Sequence, residues 1–158
     1  MRLIAAAAVI LVALVVAPQT ARAEFGVGLF VGQPLGVTFK ADLKRSTALE
    51  ILLGESSWRD NRGEYGHLTF LATPFRARGN SVIIPFRLGI GVAIYDDRGG
   101  NFGDDINIGV RAPFQVAFRF RNPLELYFEL SLLFTFLDEN DNRETVDLDG
   151  GVGLRFYF

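Results

Sequence analysis

The chain has no cysteine. It can therefore form no disulfide, and it cannot be a lipoprotein held through an N-terminal cysteine. It also lacks any excess of positive charge, with 16 basic against 18 acidic side chains, so nothing in the balance suggests a nucleic-acid partner. Beyond residue 23 it has no apolar run long enough for a spanning helix, which needs about 20 residues. If the rest of the chain enters a membrane, it must do so as a closed barrel, because only closure leaves no strand edge unsatisfied in lipid.

What is present at the N-terminus has three parts. Arg2 supplies a positive start, residues 3–16 are an apolar run, and Ala21-Arg22-Ala23 is an A-x-A cleavage site. This is the pattern of a cleaved secretory signal peptide over residues 1–23. The run meets Pro18 before the small-residue site, which argues against a transmembrane anchor. One domain, residues 24–158, is then expected. Removing Arg2 and Arg22 leaves 14 basic and 18 acidic residues, a net charge of −4.

Residues 24–158 alternate with a period of two, the signature of strands with one apolar face. Eight segments qualify: 25–32, 35–43, 47–54, 67–75, 86–95, 106–120, 124–136 and about 146–158. The seventh is the clearest. Leu124, Leu126, Phe128, Leu130, Leu132, Phe134 and Phe136 alternate with Glu125, Tyr127, Glu129, Ser131 and Thr135. Seven apolar positions along one strand face suit lipid better than the rim of a soluble sandwich. The connections alternate too. Residues 43–46, 76–80 and 121–123 are short and basic; 55–66, 96–105 and 137–144 are longer and acidic, and Gln33-Pro34 is very tight. Short turns at one end and longer loops at the other are the rule for transmembrane barrels. The fold class is thus all-β, an eight-stranded antiparallel up-and-down transmembrane β-barrel. Trp58, Tyr65 and Tyr95 near one rim, and Phe25, Phe120, Tyr157 and Phe158 near the other, are expected to form aromatic girdles.

The chain ends Gly153-Leu154-Arg155-Phe156-Tyr157-Phe158. This resembles the C-terminal signal of bacterial outer-membrane barrels, carried here by Gly153, Phe156 and Phe158, with Gly151 where a polar residue is usual. The whole chain resembles the small barrels of the OmpA and OmpX type. It is closer still to uncharacterised outer-membrane barrels with a Gly-x-Pro-x-Gly first hairpin and an Asp-Gly-Gly-x-Gly final strand. Gly32-Gln33-Pro34-Leu35-Gly36 and Asp149-Gly150-Gly151-Val152-Gly153 carry that likeness, with Gly109-Val110-Arg111-Ala112-Pro113 as support. The resemblance implies the outer membrane as location, recognition by the barrel-assembly machinery, and contact with outer-membrane lipid and lipopolysaccharide. It lends no catalytic residue and no cofactor.

The inward face should hold Lys40, Arg87, Arg111, Arg119 and Arg155 against Glu50, Glu125, Glu129, Asp147 and Asp149. An eight-stranded barrel is just wide enough for side chains to fill it. Five charges of each sign therefore read as a salt-bridged plug, with a small pore as the alternative. Inward glycines (Gly26, Gly28, Gly89, Gly91, Gly109, Gly153) are expected to make room for the arginines. The long loops carry eleven acidic and four basic residues, either simply solvated or bound through divalent cations to lipopolysaccharide phosphates. Asp138, Asn140, Asn142 and Asp149 echo a calcium loop, but Arg143 stands where glycine is needed and Asp149 where a bidentate Glu is needed. No metal ligand set is assigned. A rim hydrolase would have to use His67, the only histidine, with Ser56 or Ser57 and Glu55. No motif fixes that geometry, so the expected role is non-enzymatic.

Overall fold

The computed structural model describes residues 24–56, 63–96, 106–121, 123–137 and 145–158. The proposed signal peptide lies outside them. So do Trp58, Ser57, the calcium-loop positions 138, 140, 142 and 143, and most of the acidic loop residues.

Eight strands follow one another: β1 (Phe25–Gln33), β2 (Leu35–Lys44), β3 (Thr47–Ser56), β4 (Gly63–Arg78), β5 (Val82–Asp96), β6 (Ile106–Phe120), β7 (Leu124–Leu137) and β8 (Thr145–Tyr157). Each pairs antiparallel with the next, and β8 returns to pair with β1, so the sheet closes into a barrel with no free edge. Glu24 and Phe158, the first and last described residues, sit at one end. Glu24 O accepts from Asp42 N, and Phe25 O accepts from Phe158 N, each at 2.9 Å. That terminal end carries the short turns, and the opposite end carries the long connections.

Alternation decides the two faces, since successive side chains on a strand point to opposite sides. Outward, Leu29, Val31, Leu68, Ile90, Leu130 and Leu148 are each 50–65 % exposed. They lie on five different strands, so the apolar belt runs round the wall. Monomeric soluble proteins rarely expose contiguous apolar surface beyond a few hundred Å². A belt around a closed, edge-free barrel meets lipid instead. Inward, the wall buries charged and polar side chains together with Phe30, Leu52, Tyr65, Leu71, Tyr127 and Leu133.

The closing seam brings two distant glycine motifs together. Gly32 of β1 lies opposite Gly151 of β8. A Cβ on Gly32 would run into the backbone of Gly150 and Gly151, and one on Gly151 would meet the Phe30 ring at 2.8 Å. Only glycine on both strands lets the seam close this tightly.

Two expectations need correction. The fourth strand runs over Gly63–Arg78 rather than 67–75, so most of the expected 76–80 turn is strand. The longer strand carries a bulge: Ala72 pairs with Leu88 and Phe75 with Phe86, leaving Thr73 and Pro74 both opposite Arg87. The girdle reading also fails for the tyrosines. Tyr65 and Tyr157 are buried inside the barrel. Tyr95 packs on Tyr65, its ring stacked at 6.2 Å and its hydroxyl 2.6 Å from Thr135 Oγ1. Their parity is inward, and the Tyr95 and Tyr157 hydroxyls find partners there, Thr135 and Glu125, that lipid cannot offer. Phe120 and Phe158 do face outward.

Candidate functional site

The centre of the lumen is a continuous network of charged and amide groups. Arg155 of β8 donates to Glu50 of β3 at 2.5 Å and to Glu125 of β7 at 3.1 Å. Glu125 also receives both guanidinium nitrogens of Arg87, on β5, at 2.5 and 3.0 Å, and the Tyr157 hydroxyl at 3.1 Å. Glu50 accepts in addition from Gln115 Nε2 of β6, at 3.0 Å. The same amide nitrogen donates to Glu129 at 2.6 Å, and Glu129 is paired with Arg111. Arg111 then reaches β4, donating to Thr69 Oγ1 at 3.1 Å and to His67 Nε2 at 2.7 Å. Six strands, β3 to β8, are thereby tied across the lumen.

The chemistry of the network is balanced. Three guanidinium groups face three carboxylates, all nearly inaccessible to solvent. Each of these three carboxylates receives at least two donors, the condition under which a buried charge is tolerated. Gln115 suits its place because one amide can donate to two acids while its oxygen faces Arg87, at 3.5 Å. A guanidinium can only donate, so His67 Nε2 is the acceptor and the ring proton sits on Nδ1.

Aromatic rings line the same space. The Arg155 guanidinium lies over the Tyr127 ring at 4.3 Å, and Phe30 stacks on Tyr127 at 5.8 Å. Two of the inward glycines show what the space is for. A Cβ on Gly26 would meet the Arg155 stem at 2.7 Å, which is the room for arginine expected from sequence. A Cβ on Gly153 would fall inside the Tyr127 ring instead. The remaining inward glycines face backbone, Leu71, Thr69 or Leu133, so they make room mainly for neighbours other than arginine.

The ten charges expected inside do not form one cluster. Glu50, Arg87, Arg111, Glu125, Glu129 and Arg155 meet in the central network. Lys40 is buried but pairs with Asp42 on its own strand, near the Tyr157 ring at 5.3 Å. Arg119 sits at the terminal-end mouth, paired with Glu24 and 3.6 Å from Asp42, and stacked over Tyr157 at 4.2 Å. Asp149 is buried towards the loop end with one oxygen unpartnered, and Asp147 is half-buried farther along β8. Parity sets the side of the wall and says nothing of depth. Gln115, Thr69, His67 and Tyr157 complete the network without having been singled out as lumen partners. The signal for Gln115 was its register opposite Glu129.

His67 is not at the rim. Its register partner is Leu52, whereas Ser56 lies opposite Gly63, and the ring is buried against Arg111. The structure therefore does not assemble His67 with Ser56 and Glu55, and Ser57 lies outside the described residues. Among the described residues no group of three or more His, Cys, Asp or Glu is placed to hold a metal.

Of the C-terminal signal residues, Phe156 and Phe158 project outward with their rings edge-on at 5.3 Å. Gly153 lies inside beneath Tyr127.

No family model and no curated protein matches the chain. Solved structures do. The N-terminal β-barrel domain of Pseudomonas aeruginosa OprF aligns with a TM-score of 0.62 at 14 % identity, over 85 % of this chain and 94 % of that one. The outer membrane enzyme PagL aligns with a TM-score of 0.49 at 12 % identity, over 85 % and 99 %, too distant to bear on chemistry. The closed strand order, the apolar outer belt and the likeness to the OprF domain together make this chain an eight-stranded antiparallel up-and-down transmembrane β-barrel, with the fold of the small OmpA type.

Proposed function

We propose that the protein is a non-enzymatic integral component of the bacterial outer membrane, a closed barrel that presents its long acidic loops outside. The observation that carries this is the unbroken network from Arg87 to Arg111 across the middle of the lumen. A passive pore needs a water path, and here the middle of the lumen is occupied by side chains bound to each other. The terminal end then faces the periplasm and the long connections face out. Their acidic residues would contact lipopolysaccharide phosphates through divalent cations, giving the protein a structural or surface-interaction role. Residues 1–23 act as the cleaved export signal. The final strand, with Gly153, Phe156 and Phe158, is read by the barrel-assembly machinery.

Planar-bilayer recording of the purified protein tests the closed lumen. The expected result is no steady conductance at moderate voltage. Reproducible unitary steps from the folded barrel would replace the plug with the pore. Cell fractionation with a heat-modifiability gel tests location and barrel together, and a lipid-hydrolysis assay tests the non-enzymatic reading directly.

A further inference from the structure

The terminal-end mouth of the barrel encloses a cavity of about 550 Å³. Five basic side chains line it (Lys44, Arg45, Arg76, Arg87 and Arg119) and only two acidic ones, Glu24 and Asp42. Both acids are already engaged: Glu24 by Arg119, and Asp42 by Arg119 and Lys40. Arg87 is held by Glu125. Lys44, Arg45 and Arg76 make no ion pair or hydrogen bond among the described residues. The central network is neutral, while the mouth beside it keeps three cations without a close ion-pair partner, Arg76 feeling Asp42 only at longer range.

The backbone delivers the key cation there. Upstream of the bulge, Thr69 and Leu71 point inward and Phe70 outward. Because Thr73 and Pro74 together oppose Arg87, the parity of β4 flips, and Arg76 pairs with inward Pro85 while Phe75 pairs with outward Phe86. Without the extra residue, Phe75 would enter the mouth and Arg76 would face lipid. Bulges recur where a strand must re-aim a side chain.

We propose that this mouth is a binding site for a phosphate group, held chiefly by Arg76 with Lys44 and Arg45. Two planar guanidinium forks and an ammonium around one cavity match a group that offers several oxygens and one to two negative charges. The volume falls in the range of small-ligand sites. The phosphate could belong to a lipid headgroup or be free in solution, and the proposed orientation bears only on which leaflet would supply the lipid.

The test uses the purified barrel in maltoside micelles, whose headgroup carries no phosphate. Inorganic phosphate is titrated calorimetrically at low ionic strength. Separate titrations use micelles doped with phosphatidylglycerol or with diacylglycerol, which lacks the phosphate. The variants are Arg76→Gln, Arg76→Lys and Arg121→Gln, the last removing an exposed charge that does not line the cavity. Heat-modifiability confirms that each is folded. Losing a charge-assisted hydrogen bond should weaken binding roughly ten-fold or more in Arg76→Gln. Arg76→Lys should be intermediate, and Arg121→Gln should bind like the wild type. Binding of phosphate alone, of phosphatidylglycerol alone, or of both competitively supports the site and names its source. No binding by either, equal loss in Arg76→Gln and Arg121→Gln, or equal affinity for diacylglycerol would overturn it.

Discussion

Removing one arginine from the lumen should have very different consequences depending on which carboxylate it leaves behind. Arg155→Met keeps an apolar stem over the Tyr127 ring and removes only the guanidinium. Glu125 survives that loss, because Arg87 still donates twice and the Tyr157 hydroxyl once. Glu50 does not. It loses its only guanidinium partner and keeps the Gln115 amide, with His67 Nε2 at 3.9 Å, too far for a hydrogen bond. Stranding a buried charge in this way costs about 3–5 kcal/mol. Arg87→Met strands nothing, since Glu125 keeps Arg155 at 3.1 Å. That variant should lose one bidentate charge-assisted pair, a cost of about 1.5–3 kcal/mol with the pair counted as a single interaction. Arg121→Met, at an exposed position, should cost roughly 0–1 kcal/mol.

The order Arg155 over Arg87 over Arg121 is the prediction, measured by urea unfolding in lipid vesicles with the slope checked for constancy. A double variant separates charge from packing. If the stranded carboxylate is the cause, Arg155→Met with Glu50→Leu should recover most of the loss, because an apolar replacement for a whole buried pair is often neutral. Gln115 would still donate to Glu129. Arg155→Met no worse than Arg87→Met, or a double variant worse than the single, would refute the reasoning.

Three other outcomes are expected. Gly153→Ala puts a methyl where the Tyr127 ring lies, and overpacking of that kind costs about 1–3 kcal/mol, read as a lower urea midpoint that Tyr127→Leu should partly restore. Leu130→Arg places a charge on the outward belt at a half-exposed position, with a cost of about 2–4 kcal/mol if that position lies at the bilayer midplane, whereas a neutral effect would put that face in water. Deleting Phe158, or changing Phe156 to Asp, should reduce barrel assembly and leave unfolded, protease-sensitive protein in the periplasm; normal membrane levels of both variants would contradict a role in assembly.

Strand count and facing were legible because alternation is a local property, visible whenever one face is apolar and the other is not. Depth and partnership were not. Glu50 and Arg155 are 105 residues apart, and nothing local says that they meet. Lys40 lies directly opposite Glu50 in the ladder, yet it pairs with Asp42. Inside a narrow barrel, long side chains reach across the lumen as readily as along the sheet, so the ladder predicts only some of the pairs: Glu125 does meet Arg155 opposite it, whereas Glu50 meets the same arginine from across the lumen. The bulge in β4 left one trace, Pro74, since proline inside a strand marks an edge or a bulge. The expected strand ended at residue 75 with a turn over 76–80, so the change of parity, and with it the inward placement of Arg76, went unseen.

The glycine motifs make the complementary point. Gly32 and Gly151 stand 119 positions apart in the chain, and each looks like an ordinary tight-turn or strand glycine. Their meaning appears only when β1 and β8 pair, for then each occupies the space that the other's side chain would need. Closure is the step with the largest loop to bring together, since it joins the first strand to the last, and loop entropy opposes it. A side chain at either glycine would obstruct the seam without disturbing any hairpin formed earlier. The same seam carries Phe30, stacked on Tyr127, and Arg155, lying over the same ring. Closing the wall and completing the central ion network are therefore coupled. Until β8 docks on β1, Gly26 of β1 does not cover the stem of Arg155, the residue that joins Glu50 to Glu125.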